Sequence, residues 1–88
     1  MIRRRVIVHG RVQGIFFRDT TRRMAVSRGV AGWVRNRVDG AVEAVFEGDE
    51  DAVASMLRFC RQGPPGADVE RVEETDEELE GLEGFRIV

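Results

Sequence analysis

Hydrophobic residues change their spacing near residue 17, which separates a predicted strand from a predicted helix. The β-branched run at residues 6–8 predicts a strand over residues 2–8 that is covered on at least one face. From Phe17 the spacing becomes helical, and Gly29 is placed to end the helix as a C-terminal cap. The predicted helical face consists of Phe17, Thr21, Met24, Ala25 and Arg28. The chain therefore begins with a strand, a loop and a helix.

A β-hairpin is predicted around residues 38–40, with strands over residues 30–36 and 41–47. If Gly40 adopts the left-handed conformation, the loop has three residues and Arg35 faces Glu43. This register places one apolar set on a single face: Val30, Val34, Val42, Ala44 and Phe46. A two-residue Asp39-Gly40 turn would mix charged and apolar residues on both faces, so the three-residue loop is predicted.

The second half of the chain predicts a helix and two further strands. The helix begins near Asp49, whose side chain can cap free backbone donors, and Gly-Pro-Pro at residues 63–65 ends it. Its apolar stripe consists of Val53, Met56, Leu57 and Cys60. Strands over residues 69–75 and 85–88 complete the order β-α-β-β-α-β with a short terminal strand. This order predicts an α+β, ferredoxin-like sandwich, in which two helices cover one face of a mostly antiparallel sheet.

Length and composition indicate one domain spanning residues 1–88, because a chain of 88 residues leaves no room for a second core. The single cysteine, Cys60, cannot form an internal disulfide. No apolar run approaches the roughly 20 residues that span a bilayer, and the N-terminal apolar segment is too short for a signal peptide. We therefore expect a cytoplasmic protein with no membrane partner.

Charge is distributed unevenly, although the net charge is only −2. Residues 1–37 contain ten arginines and one acid, whereas residues 38–88 contain four arginines and fifteen acids. Either the first half binds an anionic ligand, or the two halves interleave in the fold and attract each other. Both interpretations remain open at the level of sequence.

The loop before the first helix has the features of an anion site. It lies in the stretch HGRVQGIFFR at residues 9–18. A helix N-terminus presents free backbone N–H groups and partial positive charge, and Gly14 permits conformations that let such groups converge. Arg18 adds a fork of donors that matches two phosphate oxygens. The loop and Arg18 together predict a phosphoryl cradle.

Asn36 is predicted to share a face with Val34 and Val42, where an unpartnered amide is costly. One interpretation is a turn residue that bonds its own backbone near the strand end. The other is a polar residue with a function in a site. The hairpin pattern by itself does not separate them.

Two motifs in this order carry a family resemblance. The run VHGRVQGIFFR at residues 8–18, with GWVRN at 32–36 and then Gly40, Val42 and Gly48, resembles both signatures of the acylphosphatases. The similarity spans essentially the whole chain, because length, element order and the terminal strand also fit. The one departure is Ile15, where valine is usual.

The resemblance implies hydrolysis of a carboxyl-phosphate anhydride, an acyl phosphate, to carboxylate and inorganic phosphate without metal or cofactor. It implies that Arg18 and the loop backbone hold the phosphoryl group, and that Asn36 orients the attacking water. The implied phosphate-binding loop consists of Gln13, Gly14, Ile15, Phe16, Phe17 and Arg18. This fits phosphoryl transfer, in which positioning and charge stabilisation dominate.

Other candidate residues receive structural interpretations. His9 has a suitable ordinary pKa for a general base but no evident orienting carboxylate in sequence. Cys60 is expected to be a small buried hydrophobe. Phe17 is expected in the core, whereas Phe16 is a candidate to border the acyl group. The acidic stretch at residues 73–83 has no metal-ligand spacing and is expected to be a solvated surface.

Two alternative functions come from other classes. Ferredoxin-like sandwiches also include RNA-binding modules, but this chain has no tyrosine and offers only Trp33 as a clear stacking residue on the open face. A binding module without turnover would keep the cradle, but both Arg18 and Asn36 are present. We expect a monomeric enzyme that acts on a small-molecule acyl phosphate and does not bind nucleic acid.

Overall fold

The computed structural model describes residues 1–88 and contains five strands and two helices. Their bounds are β1 Ile2–Arg11, α1 Phe17–Arg28, β2 Ala31–Asn36, β3 Val42–Gly48, α2 Glu50–Gln62, β4 Asp68–Glu77 and β5 Phe85–Ile87. The strands form one sheet in the order β4-β1-β3-β2-β5, in which only the β2–β5 pair is parallel. Helix α1 packs on β2 and β5, and α2 packs on β1, β3 and β4. The predicted α+β, ferredoxin-like fold is confirmed.

The hairpin has the predicted three-residue loop. Arg35 pairs with Glu43, and Val34 pairs with Ala44. Gly40 has a φ of 94°, a conformation that favours glycine. The core-facing residues of both strands are buried: Val34, Val42, Ala44 and Phe46. The alternation of apolar and polar residues was therefore sufficient to predict the register.

Both helices end at glycine. The predicted face of α1 is buried only in part, because Met24 is half-buried and Arg28 is exposed and donates a hydrogen bond to Ser55. Phe17, Thr21 and Ala25 are buried on α1, and Gly29 caps its C-terminus with a φ of 68°. The stripe of α2 is buried throughout: Val53, Met56, Leu57 and Cys60. The predicted cap at Asp49 is wrong, because its exposed side chain makes no capping hydrogen bond and only its carbonyl accepts from Val53 N–H. Neither helix has the length and apolarity needed to span a bilayer.

Strand β1 runs three residues further than predicted and leads directly into the loop. Its register with β4 shifts between His9 and Gly10, because β4 contains one additional residue at that point. Gly10 has a φ of 128°, and a Cβ there would overlap the carbonyl oxygen of Asp68. The close approach of β1 and β4 at this irregularity therefore requires glycine at residue 10.

The acidic stretch is not simply a solvated surface, contrary to expectation. Antiparallel pairing of β1 with β4 places Arg3 opposite Glu77, and the two side chains form an ion pair of 2.9 Å. Arg3 also bonds Glu80 at 2.9 Å and the buried Glu47 at 2.7 Å. Glu47 in turn accepts hydrogen bonds from backbone N–H groups of the β4–β5 connection, at Glu80, Gly81 and Leu82. The acids thus neutralise arginines of β1 and hold this connection.

Replacing Glu47 with glutamine should lower the free energy of unfolding by about 2–3 kcal/mol at neutral pH, because buried Arg3 loses a charged partner. Burial raises the pKa of Glu47, but hydrogen bonds from Glu80 N–H and Arg3 outweigh this and hold the pKa below its usual range. The stabilisation that ionised Glu47 provides is therefore complete above the ordinary glutamate pKa of about 4.3. It is lost as the pH falls through the lower pKa that Glu47 has in the folded protein.

Urea unfolding as a function of pH measures this effect. The difference between the parent protein and Glu47→Gln should shrink as the medium becomes more acidic than the ordinary glutamate pKa. Glu80→Gln is the matched control, because Glu80 is 60% exposed and its pair with Arg3 is expected to contribute little. An equal Glu47→Gln difference at neutral and acidic pH would contradict the assignment.

Candidate active site

A cavity of about 300 Å³ lies where the loop, the start of α1 and the end of β2 meet. Its lining consists of Val12, Gly14, Phe16, Phe17, Arg18, Asp19, Asn36 and Ile87. Arg18 comes from the first turn of α1, and Asn36 is the last residue of β2. The fold therefore brings together the two side chains that the sequence singled out in separate motifs.

The loop backbone has two left-handed residues beside this cavity. Gly14 has a φ of 79°, and Phe16, the N-cap residue of α1, has a φ of 63° and a ψ of 24°. A left-handed phenylalanine is uncommon and is strained, as is typical of functional sites. No side chain caps the helix, and its first backbone hydrogen bond runs from Thr20 N–H to the Phe16 carbonyl. The donors that precede Thr20 are available to an anion.

The guanidinium of Arg18 is half-buried in the cavity wall and takes part in none of the protein's salt bridges. Asp19 supplies the only carboxylate in the lining, but it pairs with Arg23 at 2.9 Å. The positive charge of Arg18 is thus left for a ligand.

The structure supports the interleaving interpretation of the charge asymmetry for five arginines, and the anion-binding interpretation stays a prediction. Several arginines of the first half pair with acids of the second half: Arg3, Arg4, Arg5, Arg35 and Arg37. The interleaving of the two halves accounts for these residues. Arg18 is left outside this pairing, at the cavity, where an anionic ligand is expected.

Asn36 pairs with Val42 at the end of the hairpin ladder. Its Oδ1 atom is buried without a hydrogen-bond partner. The side chain that bonds the turn backbone is instead that of Asp39, whose Oδ1 accepts from Ala41 N–H at 3.1 Å. A buried polar atom without a partner is costly and calls for an explanation. Its place beside Arg18 favours the functional interpretation over the turn interpretation.

The residues of the predicted phosphate-binding loop do not all reach the cavity. Gly14, Phe16, Phe17 and Arg18 line it, whereas Gln13 and Ile15 do not. Gln13 directs its amide to the hairpin backbone, and Ile15 packs against the hydrophobic core. As predicted, Phe17 is buried, with its ring centroid 5.5 Å from that of Phe59, while Phe16 is 78% exposed.

Three lining residues were not identified as site residues from the sequence: Val12, Asp19 and Ile87. Ile87 reaches the cavity because β5 pairs in parallel with β2, which places Ile87 beside Val34. Val12 is fully buried at the base of the loop. Val12 lies within the loop motif and Asp19 directly follows it, but neither stood out there as a site residue. For Ile87, only the predicted terminal strand indicated that the end of the chain returns to the sheet.

His9 and Cys60 lie outside the cavity. His9 does have a carboxylate partner, contrary to expectation, because the β1–β4 pairing brings Glu73 Oε2 to 2.5 Å from its Nε2 atom. This hydrogen bond lowers the pKa of Glu73. Complete burial raises the pKa of the Cys60 thiol to about 12, which suits a structural residue and not a nucleophile. No group of three or more His, Cys, Asp or Glu residues is arranged to hold a metal ion.

Trp33 lies on the open face of the sheet, the face opposite the helices. The guanidinium carbons of Arg5 and Arg35 lie 5.4 and 5.6 Å from its ring centroid. Both arginines also bond Glu43. The stacking position around Trp33 is thus occupied by arginines whose charge is already paired.

Comparison with known proteins agrees with this geometry. A model of the family described as acylphosphatase matches residues 4–87. The acylphosphatase of Rubrobacter xylanophilus is 56% identical over 94% of this chain and 76% of its own, and that of Thermococcus kodakarensis is 52% identical over 99% and 96%. The crystal structure of acylphosphatase from Bacillus subtilis has a TM-score of 0.95 at 43% identity, covering 100% of this chain and 99% of that one. The chain belongs to the acylphosphatase family.

Proposed function

We propose that the protein hydrolyses acyl phosphates to a carboxylate and inorganic phosphate in the cavity between the loop and β2. The observation that supports this most directly is that two polar side chains without internal partners line the same cavity. The Arg18 guanidinium has no internal counter-ion there, and the Asn36 Oδ1 atom is buried without a partner. An anionic phosphoryl group and a water molecule would satisfy them respectively.

In this proposal, the phosphoryl group sits at the N-terminus of α1. Backbone N–H groups of the loop between Gln13 and Arg18 bind its oxygens, and the left-handed conformations of Gly14 and Phe16 allow these groups to converge. The guanidinium of Arg18 contributes two parallel hydrogen bonds. These fixed donors stabilise charge on the equatorial oxygens in the transition state without reorganising.

Asn36 orients the attacking water. Its amide offers one acceptor and two donors, enough to fix a water molecule and align a lone pair toward phosphorus. As the water oxygen bonds to phosphorus, the bond between phosphorus and the carboxylate oxygen breaks and the carboxylate leaves with its electron pair. The proton lost by the water passes to a phosphoryl oxygen and from there to solvent. Because a carboxylate is a good leaving group, no strong general acid is required, and His9 outside the cavity is not needed.

The acyl group lies against the exposed apolar wall of the cavity. Val12 and Phe17 are almost fully buried, so Phe16 and Ile87, which are 78% and 41% exposed, supply that wall. The proposal includes a monomeric state of the enzyme. We also propose that the enzyme is cytoplasmic, needs no cofactor and does not bind nucleic acid.

The purified protein should hydrolyse acetyl phosphate in the presence of excess EDTA, because Arg18 and the backbone donors already supply the positive charge. Inorganic phosphate should inhibit competitively, since it binds the same cradle. The loss of acetyl phosphate over time, followed with and without added inorganic phosphate, measures both effects. Complete loss of rate in chelator that magnesium restores would contradict metal independence, and no turnover under any condition would favour a binding module.

A further inference from the structure

We infer that Gln13 is a positioning residue, which holds the phosphate loop at a set distance from Asn36. The inference rests on the proposed function, because it concerns the alignment of water with the phosphoryl group. Gln13 does not line the cavity. It therefore acts through the backbone of the hairpin and not by touching substrate.

The amide of Gln13 joins two segments of the chain. Its Nε2 atom donates to the carbonyl of Arg37 at 2.9 Å and to the carbonyl of Ala41 at 3.0 Å. Arg37 N–H also donates to the Ala41 carbonyl at 2.8 Å. The Gln13 side chain thus closes the open end of the β2–β3 ladder, one residue beyond Asn36. The Gln13 backbone enters the loop immediately before Gly14.

The position of the Asn36 amide depends on this connection. Its Oδ1 atom has no hydrogen-bond partner that would hold the side chain in place. The location of the amide is therefore set mainly by the backbone of the strand end. That backbone is held on one side by the pairing of Asn36 with Val42, and just beyond it by the two hydrogen bonds from Gln13.

Such a connection has a kinetic consequence. The water on Asn36 and the phosphoryl group on the loop react only when they are aligned at about 3–3.5 Å. A loop that is no longer fastened to the hairpin can still bind phosphate through its own donors and Arg18. Loss of the Gln13 hydrogen bonds should therefore affect the chemical step and spare phosphate binding.

Gln13→Met tests this, because methionine keeps an unbranched chain of similar length and removes the donors. We expect kcat for acetyl phosphate to fall about tenfold while the inhibition constant of inorganic phosphate changes less than about twofold. The matched control is Asp39→Ala, which removes two hydrogen bonds within the same turn, from Ala41 N–H and from the Arg37 guanidinium, but keeps both hydrogen bonds from Gln13. This control should lower the thermal midpoint and keep kcat. Equal loss of kcat in both variants would overturn the inference.

A double-mutant cycle gives the decisive measurement. If Gln13 acts through Asn36, then Gln13→Met should have little further effect on kcat in an Asn36→Ala background. Full additivity would overturn the positioning role and leave the proposed function intact. Normal turnover of Asn36→Ala alone would contradict the role of Asn36 in the proposed function as well. If Gln13→Met does not fold, Gln13→Glu keeps the chain length, replaces the donating nitrogen with oxygen and is judged by the same criteria.

Discussion

Replacing Arg18 with lysine should lower kcat/KM for an acyl phosphate by about 10²-fold or more, although the charge is kept. Lysine presents a point charge and cannot form two parallel hydrogen bonds to the moving phosphoryl group. Fixed donors of this kind typically contribute 10²–10³-fold to rate. Because the interaction also holds the ground-state phosphate, the inhibition constant of inorganic phosphate should rise together with the loss of rate.

The fold should tolerate this change, since Arg18 lies at the start of α1 and makes no salt bridge. Arg22→Lys is the matched control, because Arg22 is exposed one turn further along the helix and does not line the cavity. It should keep normal kinetics. Near-normal kinetics of Arg18→Lys would mean that the phosphate ligand lies elsewhere in the protein.

Replacing Asn36 with alanine should lower turnover by about 10²-fold and leave phosphate inhibition nearly unchanged. The amide is assigned to the water and not to the phosphate, so its loss removes an interaction needed only as the new bond forms. The unpartnered Oδ1 atom supports this assignment, because removing it breaks no internal hydrogen bond of that atom. Thermal stability should therefore fall little or even rise.

The same variant distinguishes the two interpretations of Asn36. If the residue only shaped the turn, the variant would lose stability and keep its turnover per folded molecule. Thermal midpoint, phosphate inhibition constant and kcat should be measured on one sample, with Val38→Ala in the exposed hairpin loop as control. Normal turnover in a folded Asn36→Ala protein would end the assignment of the water to this residue.

Much of the candidate site could be predicted because most of its residues lie close together along the chain. A loop with Gly14 that leads into a helix at Phe17, with Arg18 in the first turn, lies within a few consecutive residues. The structure confirms the left-handed glycine and the helix start. The left-handed conformation of Phe16 could not be predicted, because no residue type other than glycine signals it reliably.

Side-chain capping was less predictable than the helices themselves. Asp49 occupies the expected N-cap position of α2, but its side chain makes no capping bond. Position along the chain determines which residue lies at a helix end. The rotamer of an exposed side chain depends on competition with solvent, which the sequence does not encode.

The sequence by itself determined the period of each element, the hairpin register and the loop that leads into α1, because each depends on residues that are close along the chain. Only the tertiary structure decided which distant residues meet. Strand order placed Glu77 against Arg3 and Glu73 against His9, and the parallel β2–β5 pair brought Ile87 to the cavity. The two hydrogen bonds of Gln13 are also of this kind. Hydrophobic periodicity specifies which face of an element is buried, but the packing of the whole sheet specifies what it is buried against.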